Sequence, residues 1–355
     1  MAKILIKHGR VWDGESFFFA DVLTDGERIS KIAPAITDSA DYVYDATGKT
    51  VSAGLVDIHV HMRGISCDAF GIDAAISCFP FGVTAALDAG GGKGDKALLD
   101  SFCLKTAVFV GVDIKANRPD IKRAEAMLLA YGDRALGVKV YFDTMVSEVT
   151  DVSPLRTICD FAHSRGLRVM VHCSHSPIPM NELLRVLSRG DVLTHAFHGG
   201  ESNAASDGFQ GILEAQRRGV VIDTGFAGHV HTDFQLFKDA IKAGVVPDTV
   251  STDITRLSAY RRGGRYGMTM CMSMARKVGL PEKDIFKAVT STPAKVLGKT
   301  DEWGSLTVGG AADIAVLDYT DEGFSLTDSA KNKIEDSQGY RCVLTVIDGQ
   351  LVYRD

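Results

Sequence analysis

The stretch "GLVDIHVHMRG", Gly54 to Gly64, carries two histidines one residue apart at the end of an apolar run. In a β-strand successive side chains alternate between faces, so His59 and His61 point one way and Val60 the other. Two imidazoles aimed at one point suit a metal ion. A buried pair tied to backbone carbonyls would look the same in sequence, and the surroundings of the stretch decide between the two readings.

Working outward, short β-branched runs recur after residue 53: "LVDIHV" (55–60), "VTAALD" (83–88), "TAVFVGVDI" (106–114), "ALGVKVYF" (135–142), "LRVMVH" (167–172), "DVLTH" (191–195), "VVIDTG" (220–225) and "DTVSTD" (248–253). Between them lie segments of helical periodicity, among them "PLRTICDFAHSRG" (154–166), "MNELLRVLSRG" (180–190) and "DGFQGILEAQRRG" (207–219), each ending in the glycine that helix C-termini favour. Eight strands alternating with helices predict an α/β fold, a closed parallel (β/α)8 TIM barrel over residues 54–303. Residues 1–53 and 304–355 read differently, as short alternating runs broken by turns such as Asp-Gly. We expect the two flanks to pair into a small β-sandwich domain.

The 355 residues can bury a sizeable core without staples. Seven cysteines, an odd number with no C-x-x-C pair, fit a reducing compartment, and the opening "MAKILIKHGRVWDG" lacks the pattern of a secretory leader, so a cytoplasmic protein is expected. The net charge of −6 with scattered basic residues argues against nucleic acid, and the lack of a long apolar run argues against a membrane span. The expected partners are a small-molecule substrate and further copies of the chain in a homo-oligomer.

In parallel barrels the functional site lies at the carboxyl ends of the strands. His59 and His61 end the first run, His172 the fifth, His195 the sixth and Asp253 the eighth, while Lys139 stands inside the fourth between Val138 and Val140. Imidazole and carboxylate are ligands for zinc and neighbouring divalent metals. Burial pushes a lysine toward its neutral amine, nucleophilic enough to add carbon dioxide and form a carbamate whose two oxygens can bridge two metals. The alternative for Lys139 is an internal salt bridge to Asp88 or Asp253.

With these residues in place the chain resembles the amidohydrolase superfamily, relatives of dihydroorotase, urease and phosphotriesterase. The resemblance is carried by "DIHVH" (57–61), Lys139 in "GVKVYF", His172 in "MVHCSH", His195 in "VLTHAFHGG", Asp253 in "STDIT" and the closing segment "GSLTVGGAADIAVLDY" (304–319). Within that superfamily "HCSHSPIPMNELLRVLSRGDVLTHAFHGG" (172–200) looks most like a group of deacetylase-type metallohydrolases. The resemblance implies two divalent metals, zinc first, with manganese, iron or nickel also suitable. It places His59, His61 and Asp253 on one metal, His172 and His195 on the other, and carbamylated Lys139, formed with carbon dioxide, between them. It further implies that a hydroxide shared by the metals attacks a carbonyl, with Asp253 as the base that takes its proton and the acid that returns it.

Arg63, two residues past the histidine pair, stands where dihydroorotase grips a substrate carboxylate. The dihydroorotase pattern is broken, however, by "GISC" after Arg63 and by "ITRLSAYRRGGRYG" after Asp253. His175 and His198 each lie three residues beyond a ligand position and are read as substrate contacts or supports of the ligands. "TGFAGHVHTDF" (224–234) holds another His-x-His, and His231 in it is read as a substrate contact or helix start rather than a third metal site. Arg261, in the arginine-rich loop 256–267, is a candidate for an acidic substrate group. The loop "DAGGGKGDK" (88–96) lacks P-loop spacing. Together these predict hydrolysis of an N-acyl or O-acyl bond in a small carboxylate-bearing molecule, with cyclic amide hydrolysis as the alternative. A non-catalytic assembly role, as in relatives that lost their ligands, is disfavoured because all six ligand positions are filled.

Overall fold

Leu55–Val60 pairs in parallel with Val83–Gly91, and the pairing continues outward through Lys105–Val112, Ala135–Tyr141, Arg168–His172, Val192–Thr194 and Val221–Ile222 in a computed structural model of the chain. The structure describes residues 2–62, 71–91, 96–101, 103–228, 230–261 and 265–355, without the side chains of Gly91, Leu98 and Arg261. Arg63, the segment "GISC", His229 and Gly92–Gly94 of the glycine-rich loop therefore lie outside the described residues.

Seven strands form this parallel sheet, and the eighth run is not a regular strand. Residues 248–254 close the ring instead through single bridges, Asp223 to Thr249 on one side and Val60 to Ile254 on the other. Asp253 N–H donates to His59 O at 2.7 Å and His61 N–H to Ile254 O at 3.2 Å. Regular pairing is lost because this segment is polar and uses its hydroxyls sideways. Thr249 and Ser251 donate to the carboxylate of Asp223, and Thr252 to that of Asp57.

Helices cover the outside, and three of them follow the expected periodic segments, at Ser153–His163, Met180–Val186 and Gln210–Arg218. Neighbours in register point to the same face of a parallel sheet. Lys139, Met170 and Val192 are such neighbours, and Met170, Val192 and Val221 belong to one apolar cluster with Phe109, Leu297 and Trp303. Two residues further along these strands the same face carries His172, Thr194 and Asp223. An apolar floor thus gives way to a polar layer at the carboxyl ends.

Segments from both flanks share an eight-stranded mixed sheet with its own apolar cluster around Ile6, Val11, Val51, Ile314 and Leu344. Its central pairing joins Thr50–Ala53 antiparallel to Ile314–Thr320. Gly54 links Ala53 to the first barrel strand and has room for no side chain, since a Cβ there would meet Thr84 Oγ1 at 2.0 Å. Arg10 of this sheet clasps Glu282 of a barrel helix with hydrogen bonds of 3.1 and 2.9 Å. No helix of the described residues is long and apolar enough to cross a membrane, and the six cysteines described are free thiols.

Candidate metal centre

Two groups of donor atoms meet at the carboxyl ends of the strands: His59, His61 and Asp253 in one, His172, His195 and His231 in the other. Within the first, Asp253 Oδ1 lies 2.8 Å from His61 Nε2 and 3.3 Å from His59 Nε2. Within the second, the rings of His195 and His172 are 4.5 Å apart between centroids. His59 and His195, 5.1 Å apart, connect the groups. Lys139 Nζ is 3.1 Å from His59 Nε2 and, among the described residues, forms no ion pair, so the internal salt bridge to Asp88 or Asp253 is not made.

His195 would face away from the barrel in a regular strand, because it follows Thr194 directly. Its backbone φ of +59° turns the chain and brings the ring inward; Asp253, at φ +47°, is turned in the same manner. His and Asp are among the residues that tolerate this left-handed conformation best. Gly225 supports the turn, since its carbonyl accepts a hydrogen bond from His195 Nδ1–H at 2.6 Å, its φ is +49°, and a Cβ there would lie 2.6 Å from His195 Nδ1.

Outer partners decide which ring nitrogen each histidine presents. Thr194 Oγ1 donates to Asp223 Oδ2 at 2.7 Å, so it accepts from His59 Nδ1–H at 2.9 Å and leaves the lone pair on Nε2. Asp143 Oδ2 accepts from His172 Nε2–H at 2.8 Å, which leaves Nδ1 free to coordinate. The Gly225 carbonyl leaves His195 with a bare Nε2, and that buried atom has no hydrogen-bond partner among the described residues.

Electrostatics favour the same ligand forms. Burial lowers the imidazoles, helped by the Lys139 charge at His59 and His172 and by the neighbouring rings at His195: His59 to about 4, His195 well below the ordinary value, and His172 in the same direction. Burial also brings Lys139 down to about 8, against the pull of Asp253 and Asp223. Burial opposes the charge of Asp253, yet the neighbouring His59, His61 and His231 outweigh it and hold the acid below the ordinary carboxylate range. Lone-pair donors, one carboxylate and an unpartnered buried nitrogen make a set that a divalent cation fits.

The residues expected around the substrate are dispersed. His231 joins the metal-type cluster, its ring 4.3 Å from that of His195. His175 sits at the rim with its side chain 56% exposed and its Nδ1 3.0 Å from Asp143 Oδ2. His198 is buried, accepts from Gly200 N–H at 3.1 Å, and its Nε2 has no partner among the described residues. Arg261 ends the helix Arg256–Arg261, while its side chain and all of Arg63 lie outside the described residues. Sequence reasoning missed Asp143, Thr194 and Asp223, the groups that orient the ligands. Their only signal was a polar residue at the end of an apolar run, as in "VKVYFD" and "VVID".

The amidohydrolase family matches residues 50–352. A deacetylase from Enterococcus faecalis (strain ATCC 700802 / V583) is 27% identical over 376 residues, covering 98% of each chain. Among solved structures, a dihydroorotase superposes with a TM-score of 0.88 at 23% identity over 100% of both chains. An adenine deaminase gives 0.85, also at 23% identity, over 99% of both. Matched by the family over residues 50–352, the chain belongs to the amidohydrolase family and is a metal-dependent hydrolase of that fold.

Proposed function

We propose that the centre holds two divalent metal ions, zinc suiting its nitrogen and oxygen donors best, and that it removes an N-acyl or O-acyl group from a small carboxylate-bearing molecule. The observation that carries this reading is the convergence of two donor groups, His59, His61 and Asp253 beside His172 and His195, with Lys139 Nζ 3.1 Å from His59 Nε2. Bound there, the metals would polarise a carbonyl and make water nucleophilic at neutral pH.

The chain's own residues supply the rest. Buried Lys139, neutral in part near pH 8, adds carbon dioxide through Nζ, loses a proton and becomes an anionic carbamate between the two groups. Asp253, held as a carboxylate, takes the proton from the attacking water and passes it to the departing nitrogen or oxygen. The tied outer nitrogens of His59, His172 and His195 keep the rings from turning during the reaction.

Deacylation is favoured by the full-length similarity to a deacetylase, and a carboxylate on the substrate by the arginines at 63 and 261. The proposed partner is thus a small molecule, neither nucleic acid nor membrane, and the working form a homo-oligomer. The test is a hydrolysis screen of N-acyl amino acids, acyl esters and cyclic ureides with zinc- and manganese-loaded enzyme. Turnover of the acyl compounds is expected. Turnover of cyclic ureides alone would replace this reading with cyclic amide hydrolysis.

A further inference from the structure

His231 does not come from a barrel strand. It lies on the connection between Val221–Ile222 and the helix Phe234–Lys242, yet its ring packs 4.3 Å from His195 and 4.8 Å from His172. One nitrogen from each of these three rings lies within 4.8 Å of the others. Rings this close leave no space for a substrate group between them. Nitrogens bound to one tetrahedral ion at about 2.0–2.1 Å lie about 3.4 Å apart, so a small rotation of the side chains brings the three onto a common ion.

The orientation of His231 is also provided for. Ser174 Oγ sits 2.9 Å from its Nδ1, and a hydroxyl that accepts from that nitrogen would leave the Nε2 lone pair for a metal. The chain just beyond His231 is gripped from outside the barrel by the turn 328–332, which joins the strands Phe324–Thr327 and Lys333–Asp336. Phe234 N–H donates to Asp328 Oδ2 at 2.7 Å, Asn332 Nδ2 donates to Asp233 Oδ1 at 2.9 Å, and Ser329 Oγ donates to Thr232 O at 3.2 Å. Asp233 in turn caps the helix by accepting from Gln235 and Leu236 N–H. Three consecutive residues after His231 are thereby fixed by a segment from the far end of the sequence.

We infer that His231 is a third imidazole ligand of the metal held by His172 and His195, and that the turn 328–332 holds it in place. The inference rests on the two-metal reading above and deepens it. Three imidazoles and the Lys139 carbamate would fill four positions on that ion, so the water would be taken up as a fifth ligand, an expansion that catalytic zinc allows. The metal on His172, His195 and His231 would then depend on the turn 328–332, whereas the metal on His59, His61 and Asp253 would not.

The test is metal titration against a chelator, with cobalt as the spectroscopic probe, on the full chain, His231→Asn and Asn332→Ala. Wild type should bind two equivalents. His231→Asn should keep one tight equivalent, lose affinity for the other by more than about 100-fold, and show an altered cobalt visible spectrum. Asn332→Ala should weaken that same equivalent by about 10-fold and leave the tight one unchanged. Should the variants fail to fold, an anomalous-difference map of zinc-loaded wild type answers directly, with a His231 nitrogen expected within about 2.3 Å of an ion. Two equally tight equivalents in His231→Asn with an unchanged spectrum, or a His231 nitrogen beyond bonding distance of both ions, would overturn the inference. Wild type binding fewer than two equivalents would instead overturn the two-metal reading beneath it.

Discussion

Asp143 Oδ2 accepts from His172 Nε2–H at 2.8 Å, and this one bond decides that His172 offers its other nitrogen to the centre. The same oxygen stands 3.0 Å from His175 Nδ1, so a single buried carboxylate serves both a ligand and a rim histidine. Its acidity suits an acceptor of two imidazole protons. Burial works against the charge, but the two histidines and the Met145 N–H hold the carboxyl below its ordinary range.

Replacing this acceptor with a near-isostere should loosen the ligand without removing it. Asp143→Asn is expected to weaken binding of the metal on His172 by about 10- to 100-fold, read by chelator competition. An unchanged affinity would show that the bond does not set the orientation of His172.

Asp253 is assigned two duties, one toward a metal and one toward the proton. Asp253→Asn keeps the shape of the side chain and should fold, with turnover falling by about 100- to 10,000-fold. Wild-type rates in a folded variant would remove Asp253 as the proton carrier.

At Gly225 both the backbone and the space are committed, with φ at +49° and the His195 ring where a Cβ would go. Gly225→Ala should cost about 1–3 kcal/mol in a denaturant titration of the metal-free protein. It should also impair metal retention at His195, and a variant as stable and as well loaded as wild type would contradict that expectation.

The sign of the pH dependence follows from which state binds more protons. Burial lowers His59 and His198 to about 4 and His231 to about 3, below the unfolded value near 6.5. Between about pH 6.5 and 4 the unfolded chain is the more protonated, so each of these contributes stability that is lost as pH falls. Buried His172 and His195 are lowered in the same direction, while Asp57, raised to about 7 by burial, acts oppositely, as do the raised Asp248 and Asp313. Melting of the metal-free protein should therefore drop on going from pH 7 to pH 5; a flat or rising profile would contradict the buried, neutral state of these rings.

Much of this architecture is legible in the chain. Apolar β-branched runs mark the seven barrel strands, and His59, His61 and His172 stand where alternation within a strand directs them inward. The eighth run is not a strand because Thr249, Ser251 and Thr252 bond sideways to Asp223 and Asp57, a choice made only once the ring has closed. His195 reaches the centre through a left-handed backbone that alternation does not foresee. His231 escapes the pattern altogether, because its place depends on a turn nearly 100 residues further along, through the bond of Asn332 to Asp233. Asp143 and Asp223 act through other residues, and single carboxylates at strand ends carry no spacing that announces such a role.

The central claim is that two metal ions share this centre with Lys139 between them, and metal analysis of the purified, metal-loaded and desalted protein tests it most directly. Close to two equivalents of divalent metal are expected in wild type and one or fewer in Lys139→Ala. One equivalent or less in wild type, or a full two equivalents retained by Lys139→Ala, would contradict the account.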